Sequence, residues 1–192
     1  MKIKMKFFLI CFLFSSINVF AQWTEQMYNY YSFENYTNYK QFNDAIEPTT
    51  FDANLLEAAI FYETNRQRVR NGIHILHYDY ALNVAAHNHS VDMVKYNFYS
   101  HTSVVAGKIK LVDRINQIGY YNVMYGENIA CSPIKESYAK TAQYLVADLW
   151  MNSQGHKENI LNKGYTHLGC GIALYYQDSW VYVKATQNFL RK

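Results

Sequence analysis

The chain contains few of the residues that punctuate loops: two prolines and eight glycines in 192 residues. None of the glycines forms a loop of the kind that cradles nucleotide phosphates, and there is no Gly-x-Ser-x-Gly turn. Internal repeats and low-complexity linkers are also absent. These absences argue against a nucleotide-binding enzyme, a serine hydrolase and a repeat protein.

Outside residues 1–21 the chain has no excess of positive or negative charge. Residues 1–21 carry three of the 18 basic residues and no acidic residue, which leaves 15 basic against 15 acidic residues. A neutral balance gives no reason to expect nucleic acid or an anionic surface as a partner.

No apolar run is long enough to span a bilayer. Three lysines in the first six residues, an apolar run over residues 7–13 and a small residue at Ala21 predict a secretory signal over residues 1–21. Cleavage before Gln22 would give a secreted or periplasmic protein without a stable membrane span. An uncleaved membrane anchor is the alternative.

Cysteine is scarce, since only Cys131 and Cys170 lie outside the predicted signal. Their spacing is not that of a metal site. In an exported chain they could form a disulfide worth roughly 2–4 kcal/mol, and we expect them to lie close enough to bridge. Two buried free thiols are the alternative.

Half of the residues are hydrophobic, which is enough for one sizeable core. Their periodicity predicts helices over residues 54–72, 79–97, 111–118 and 136–151, with a short helical turn at 156–161. Extended segments are predicted at 121–130, 168–176 and 180–189, the last two as a hairpin. Helices first and most strands last indicate an α+β fold with a small antiparallel sheet.

Tyrosine is abundant, with 19 residues, many of them near the N-terminus. Residues 22–51 have few aliphatic side chains and are predicted to form an irregular, Tyr/Asn-rich extension. Such a segment could bind a partner through its rings and hydroxyls, or it could simply lie on the domain surface.

Three polar residues stand at turn-rich positions between apolar elements: His101, Glu127 and His156. Polar residues at such positions often serve a site. Glu127 lies in an apolar extended run, where a buried carboxylate needs a cationic or hydrogen-bonding partner. The two loop histidines are the candidate partners, although His101 alone could equally be a solvated or capping residue.

The chain resembles the CAP superfamily of cysteine-rich secretory, antigen 5 and pathogenesis-related proteins, and in particular its short bacterial members, over about residues 52–190. The resemblance rests on Asn65, Arg68, Gly72, Asp79, Leu82, Ala85-Ala86, Ser100-His101, Arg114, Gly119-Tyr120, Gly126-Glu127-Asn128, Trp150 through Ser153, Gly155-His156, Asn159-Ile160-Leu161, Gly169, Gly171 and Gln187-Asn188-Phe189. It implies a CAP domain at 52–192, which follows the signal at 1–21 and the extension at 22–51 that the residue pattern predicts. The implied fold is an α-β-α sandwich with a three-stranded antiparallel core.

The resemblance also implies a central cleft in which two histidines and two acids can hold a divalent cation such as Zn²⁺. The matching positions are His101, Glu127 and His156, while Ser153 stands where many members carry the second acid. The expected function is a binding cleft for a metal, with His101 and His156 as ligands, or for a small, lipid-like or peptide ligand. Alternatives are a metal-dependent hydrolase with Glu127 as general base, a hydrogen-bonded network that braces the layers, and an adhesive surface protein.

Overall fold

The computed structural model describes residues 23–192, so the predicted signal and its cleavage position lie outside the described residues. Four strands and six helices form the domain. The helices are α1 (Lys40–Asn43), α2 (Ala53–Arg70), α3 (Tyr80–Lys95), α4 (Leu111–Gln117), α5 (Tyr138–Gln143) and α6 (Gln154–Leu161). The strands are β1 (His77–Tyr78), β2 (Tyr125–Pro133), β3 (His167–Gln177) and β4 (Trp180–Leu190).

The two long helices begin where the sequence offers an N-cap. Asp52 accepts a hydrogen bond from the backbone N of Leu55 (3.1 Å), and Asp79 accepts one from Leu82 N (2.8 Å). Such carboxylates satisfy helix donors that otherwise have no partner. Beyond α2, Gly72 adopts a positive φ of 69°, which glycine accommodates without strain.

The sheet has the order β1-β3-β4-β2 and confirms the predicted α+β class. β3 and β4 form the predicted hairpin, and β2 pairs antiparallel with β4. To these three strands the structure adds β1, a two-residue strand parallel to β3. Because β2 pairs on one side only, it forms an edge of the sheet.

Successive residues of β3 face two different helical layers in alternation. Leu168, Cys170 and Ile172 belong to the main core, which also contains apolar residues of α2 and α5. On the other face, a Cβ atom at Gly169 would overlap the backbone of α3 at Leu82 and Asn83. Side chains at consecutive strand positions point to opposite faces, so the sheet lies between α2 and α5 on one side and α3 on the other.

The N-terminal segment differs from the predicted surface extension. Its 3-10 turns and α1 place Trp23, Tyr36, Phe42 and Ile46 in the main core, each at most 7% exposed. Only some of the tyrosines fit a surface role, such as Tyr30, which is 79% exposed. The reason is that aromatic rings supply here the apolar area that aliphatic side chains supply elsewhere.

The helix predicted over residues 136–151 consists of an α-helix followed by a π-helix. After α5, residues Tyr144–Trp150 form a π-helix. At its end the indole Nε1 of Trp150 donates to the carbonyl of Ile129 on the outer edge of β2 (3.0 Å), a carbonyl that also accepts from the Tyr99 hydroxyl (3.3 Å).

The prediction that Cys131 and Cys170 lie close enough to bridge is wrong, and both are free thiols. Cys131 lies on β2 opposite Lys184, whereas Cys170 lies on β3 opposite Gln187. The intervening strand β4 separates the two cysteines by two strand spacings, about 9–10 Å, beyond disulfide reach. Cys131 is exposed and Cys170 is buried.

Within residues 23–192, none of the helices combines the length and apolar composition needed to cross a bilayer.

Candidate functional site

The predicted site residues lie around the outer edge of β2. Glu127 is on this strand and is 6% exposed. His101 belongs to the loop between α3 and α4, and His156 belongs to α6. The edge of the sheet is thus where a loop from one helical layer and a helix from the other come together.

The buried carboxylate of Glu127 has two partners. His101 Nδ1 lies 2.9 Å from Oε1, and Arg114 Nη2 donates to Oε2 at 2.7 Å. Arg114 is only 3% exposed. The cationic partner expected for a buried Glu127 is therefore chiefly Arg114. Arg114 was not assigned to the site from the sequence. The available signal was that Arg114 is among the residues that carry the family resemblance.

Arg114 also shapes the loop that carries His101. Its Nη1 donates to the carbonyl of Lys108 (3.1 Å), and its Nη2 donates to the carbonyl of His101 (3.2 Å). One guanidinium therefore binds the strand carboxylate and the backbone of the histidine loop together. The rigid fork of arginine suits this arrangement better than a lysine would.

The Glu127 contact defines the chemistry of His101. Because a carboxylate only accepts hydrogen bonds here, Nδ1 carries a proton and donates it to Glu127. The His101 side chain is 55% exposed. Nε2, the other ring nitrogen, is therefore the one available to a ligand.

His156 is half-buried, and this burial lowers its pKa, with a further lowering from the nearby charge of His101. A lowered pKa keeps the ring neutral near pH 7, which is the form that binds a metal. No hydrogen bond between described residues joins the two rings.

Helix α6 is fastened to β2 by amides. Asn128 Nδ2 donates to the carbonyl of His156 (3.1 Å), while Asn159 Nδ2 donates to the carbonyl of Glu127 (3.2 Å) and to Asn128 Oδ1 (2.9 Å). Asn128 also donates to Gln187 on β4, whose amide reaches Thr64 on α2. These bonds fix the position of His156 relative to Glu127.

Behind Glu127 lie further buried polar groups. With the Asn188 amide oriented so that its oxygen accepts from Ala86 N (3.2 Å), its nitrogen donates to Glu127 Oε2 (3.3 Å). His89 is fully buried, its Nε2 lies 3.1 Å from the carbonyl of Ser100, and burial lowers its pKa. This layer supports the loop that carries His101.

Ser153 occupies the N-cap position of α6 without a side-chain capping bond. It brings no carboxylate to the site. Across residues 23–192 no three His, Cys, Asp or Glu side chains gather in a way that could hold a metal ion.

Comparison with known proteins gives the family. Residues 61–189 match the cysteine-rich secretory protein family, CAP. The chain belongs to this family, as the resemblance in the sequence predicts. The matched segment contains His101, Arg114, Glu127, Ser153 and His156, and it excludes the N-terminal segment that completes the core.

Two curated relatives come from Bacillus subtilis (strain 168). The uncharacterized membrane protein YlbC is 34% identical over 136 residues, 71% of this chain and 34% of the relative. The uncharacterized protein YkwD is 34% identical over 129 residues, 67% of this chain and 44% of the relative. The chain therefore spans less than half the length of these relatives.

Solved structures agree with the fold. An extracellular protein containing an SCP domain from Bacillus anthracis is 32% identical, with a TM-score of 0.59 over 77% of this chain and 44% of that chain. An outer surface protein of Borrelia burgdorferi shares the fold at 18% identity, with a TM-score of 0.53 over 69% of this chain and 90% of that chain.

Proposed function

We propose that this chain is an exported CAP domain that binds a ligand at the edge of β2, with a divalent cation such as Zn²⁺ held by His101 and His156. The observation that carries the proposal is the hydrogen bond from His101 Nδ1 to Glu127 (2.9 Å). A carboxylate behind a histidine orients the ring and makes the opposite nitrogen a better metal ligand. Arg114 and Asn159 hold that carboxylate and its strand in place.

Catalysis receives less support from the same geometry. Glu127 would have to accept a proton from water to act as a general base. Its two oxygens already accept hydrogen bonds from His101 and Arg114, and the cationic guanidinium favours the charged carboxylate. The carboxylate is therefore suited to positioning His101, and we rank the metal-dependent hydrolase below the binding domain.

The bracing hypothesis rests on a separate observation, the chain of amides from α6 through Asn128 and Gln187 to Thr64. This chain links four elements, α6, β2, β4 and α2, without using the imidazole of either histidine. Bracing and ligand binding are therefore compatible, and a test must separate them by a readout other than stability.

Calorimetric titration of Zn²⁺ into the purified exported protein tests the proposal. We expect His101→Ala and His156→Ala each to weaken binding about tenfold or more, and Glu127→Gln to weaken it by roughly 10–100-fold. Binding should also weaken below about pH 6, since both rings must be neutral. His77→Ala is the matched control, because His77 is exposed on β1 at the opposite edge of the sheet.

Binding that is unchanged by His156→Ala would contradict the metal site. A cleft that takes only small, lipid-like or peptide ligands would then be the remaining form of the proposal, and it would be tested with the same variants. Zinc-dependent peptide hydrolysis that disappears in Glu127→Gln would instead favour the hydrolase.

A further inference from the structure

A cavity of about 580 Å³ lies apart from the candidate site, and no residue of β2 lines it. Except for Tyr138, every residue that lines it precedes residue 61, where the family match begins. None of His101, Glu127 and His156 contributes to it. Its size is within the range of small-molecule sites, and most of its lining residues belong to the N-terminal segment.

Aromatic and aliphatic side chains form the inner wall of the cavity: Trp23, Met27, Tyr31, Leu55 and Tyr138. Packing fixes the orientation of Trp23, whose ring centroid lies 5.1 Å from that of Tyr31 and 5.3 Å from that of Phe42. Its backbone N donates to Asp52 Oδ2 (2.9 Å), which ties the start of the segment to α2. The wall is therefore preorganised.

The indole N–H of Trp23 lies within the packing behind the cavity wall. Trp23 is 4% exposed, and its Nε1 is buried and makes no hydrogen bond within the described part of the chain. A buried N–H without an acceptor costs free energy. Because this atom is shielded from the cavity, its NMR signal reports changes in the packing of the wall.

The rim of the cavity is acidic. Asp44, Glu47 and Asp52 line it together with one cation, Lys40, which is paired with Asp44 (2.6 Å). Asp52 accepts two backbone N–H bonds, and Glu47 is exposed and makes no ion pair among the described residues. Two carboxylates therefore remain without a cationic partner beside an aromatic wall.

An acidic rim next to the faces of tyrosine and tryptophan rings is the environment that attracts an organic cation. An anionic amphiphile, in contrast, would meet like charge at Glu47 and Asp52. We infer that this cavity binds an organic ammonium compound with an apolar body. The ammonium group lies by the carboxylates and the rings, and the apolar body packs against the inner wall.

Benzoylcholine is a suitable probe, because it joins a quaternary ammonium group to an aromatic body. The ¹⁵N–¹H spectrum of the exported protein contains three indole signals, from Trp23, Trp150 and Trp180. Trp23→Phe identifies the first of them. We expect benzoylcholine to shift the Trp23 signal saturably and to leave the signal of Trp180, which is 66% exposed on the hairpin, unchanged.

Two comparisons test the role of charge. We expect Glu47→Gln to weaken binding by about threefold or more, while Glu34→Gln, an exposed acid of the same segment outside the cavity, has no effect. The neutral isostere 3,3-dimethylbutyl benzoate should bind at least about fivefold more weakly than benzoylcholine.

Absence of a saturable Trp23 shift at millimolar benzoylcholine would overturn the inference. Equal binding of the neutral isostere or of dodecanoate would also overturn it, because the cavity would then be a general apolar pocket. An equal loss in Glu47→Gln and Glu34→Gln would show that only long-range charge matters, which contradicts a site at the rim.

Discussion

Arg114 and Glu127 are the charged residues whose burial matters most for the edge of β2. They are 3% and 6% exposed and lie 2.7 Å apart. Such a pair contributes little compared with an apolar replacement, but loss of one partner leaves the other charge buried and uncompensated. The pair therefore makes the site sensitive to single changes.

We expect Arg114→Met to lower the free energy of unfolding by about 3–5 kcal/mol. In the double variant Arg114→Met/Glu127→Gln the charge of Glu127 is also removed, so part of the loss should be recovered. Urea unfolding followed by tryptophan fluorescence measures both effects. If the effects of the two single changes simply add, the two side chains are not coupled as the structure indicates.

A second carboxylate–histidine pair lies between α2 and α3. Glu57 is 1% exposed and lies 2.7 Å from His87 Nδ1, and it also accepts from Asn83 Nδ2 (2.9 Å) and Ile172 N (3.1 Å). The hydrogen bond to Glu57 raises the pKa of His87 above 6.5, against the effect of burial. This pair stabilises the fold most when His87 is charged.

The pH dependence of stability follows from that direction. A raised pKa in the folded state gives a contribution that is complete below pH 6.5 and is lost as the pH rises through the folded-state pKa. We expect the stability difference between wild type and His87→Gln to be largest near pH 6 and to shrink toward pH 8.5. His89, with its lowered pKa, cancels in this difference because both proteins contain it.

Urea unfolding at several pH values measures this difference, with His77→Gln as the control for an exposed histidine. A difference between wild type and His87→Gln that stays constant from pH 6 to pH 8.5 would contradict the assignment.

At the scale of elements, two glycines of β3 set how closely α3 approaches the sheet. A Cβ atom at Gly171 would overlap the backbone of Ala86 and His87, and one at Gly169 would overlap that of Leu82 and Asn83. Because backbone cannot move aside as a flexible side chain can, any larger residue must displace the helix.

Gly171→Ala should destabilise the protein at or above the upper end of the roughly 1–3 kcal/mol that overpacking costs. Gly155→Ala, in α6, is the matched control, since no atom lies within 4 Å of a Cβ there and alanine favours helix. Thermal unfolding by circular dichroism compares the two. Equal melting temperatures for both variants would mean that α3 packs less closely than the structure has it.

Elements were predictable where local chemistry decides them. Asp52 and Asp79 are N-cap residues and indicate where α2 and α3 begin. The β-branched and aromatic segments on either side of residues 177–179 predict the hairpin of β3 and β4. The π-helix Tyr144–Trp150 was not predictable, because apolar periodicity does not distinguish it from an α-helix. The two-residue β1 was not predictable, because it depends on pairing with the distant strand β3. The contact between Arg114 and Glu127 was not predictable either, because the sequence of a helix does not indicate which strand residue its side chains will contact.

At the scale of the molecule, the N-terminal segment and the CAP domain share one core. Tyr36 and Phe42 are fully buried, the Tyr36 hydroxyl donates to the buried Glu63 of α2 (2.9 Å), and Arg66 donates to the carbonyl of Phe33 (3.0 Å). The sequence suggested an extension because it contains few aliphatic residues there. Which face of a tyrosine-rich segment is buried depends on what it packs against, and composition does not reveal that.

Phe42→Ala should therefore lower the free energy of unfolding by about 3–5 kcal/mol, although Phe42 lies outside the family match. Tyr30→Ala, which removes a ring that is 79% exposed, should change it by no more than about 0.5 kcal/mol. Urea unfolding followed by both fluorescence and circular dichroism tests this. An early, separate transition in fluorescence would show that the segment unfolds independently of the domain.

The side chains that close the outer edge of β2 also protect the molecule from self-association. An uncovered edge strand offers free backbone groups to a strand of another molecule. Here the outward carbonyls of Glu127 and Ile129 already accept from Asn159, Trp150 and Tyr99. Any fluctuation that detaches α6 or the π-helix therefore uncovers a template for intermolecular strand addition, and aggregation of this protein should begin at the same edge that carries its candidate site.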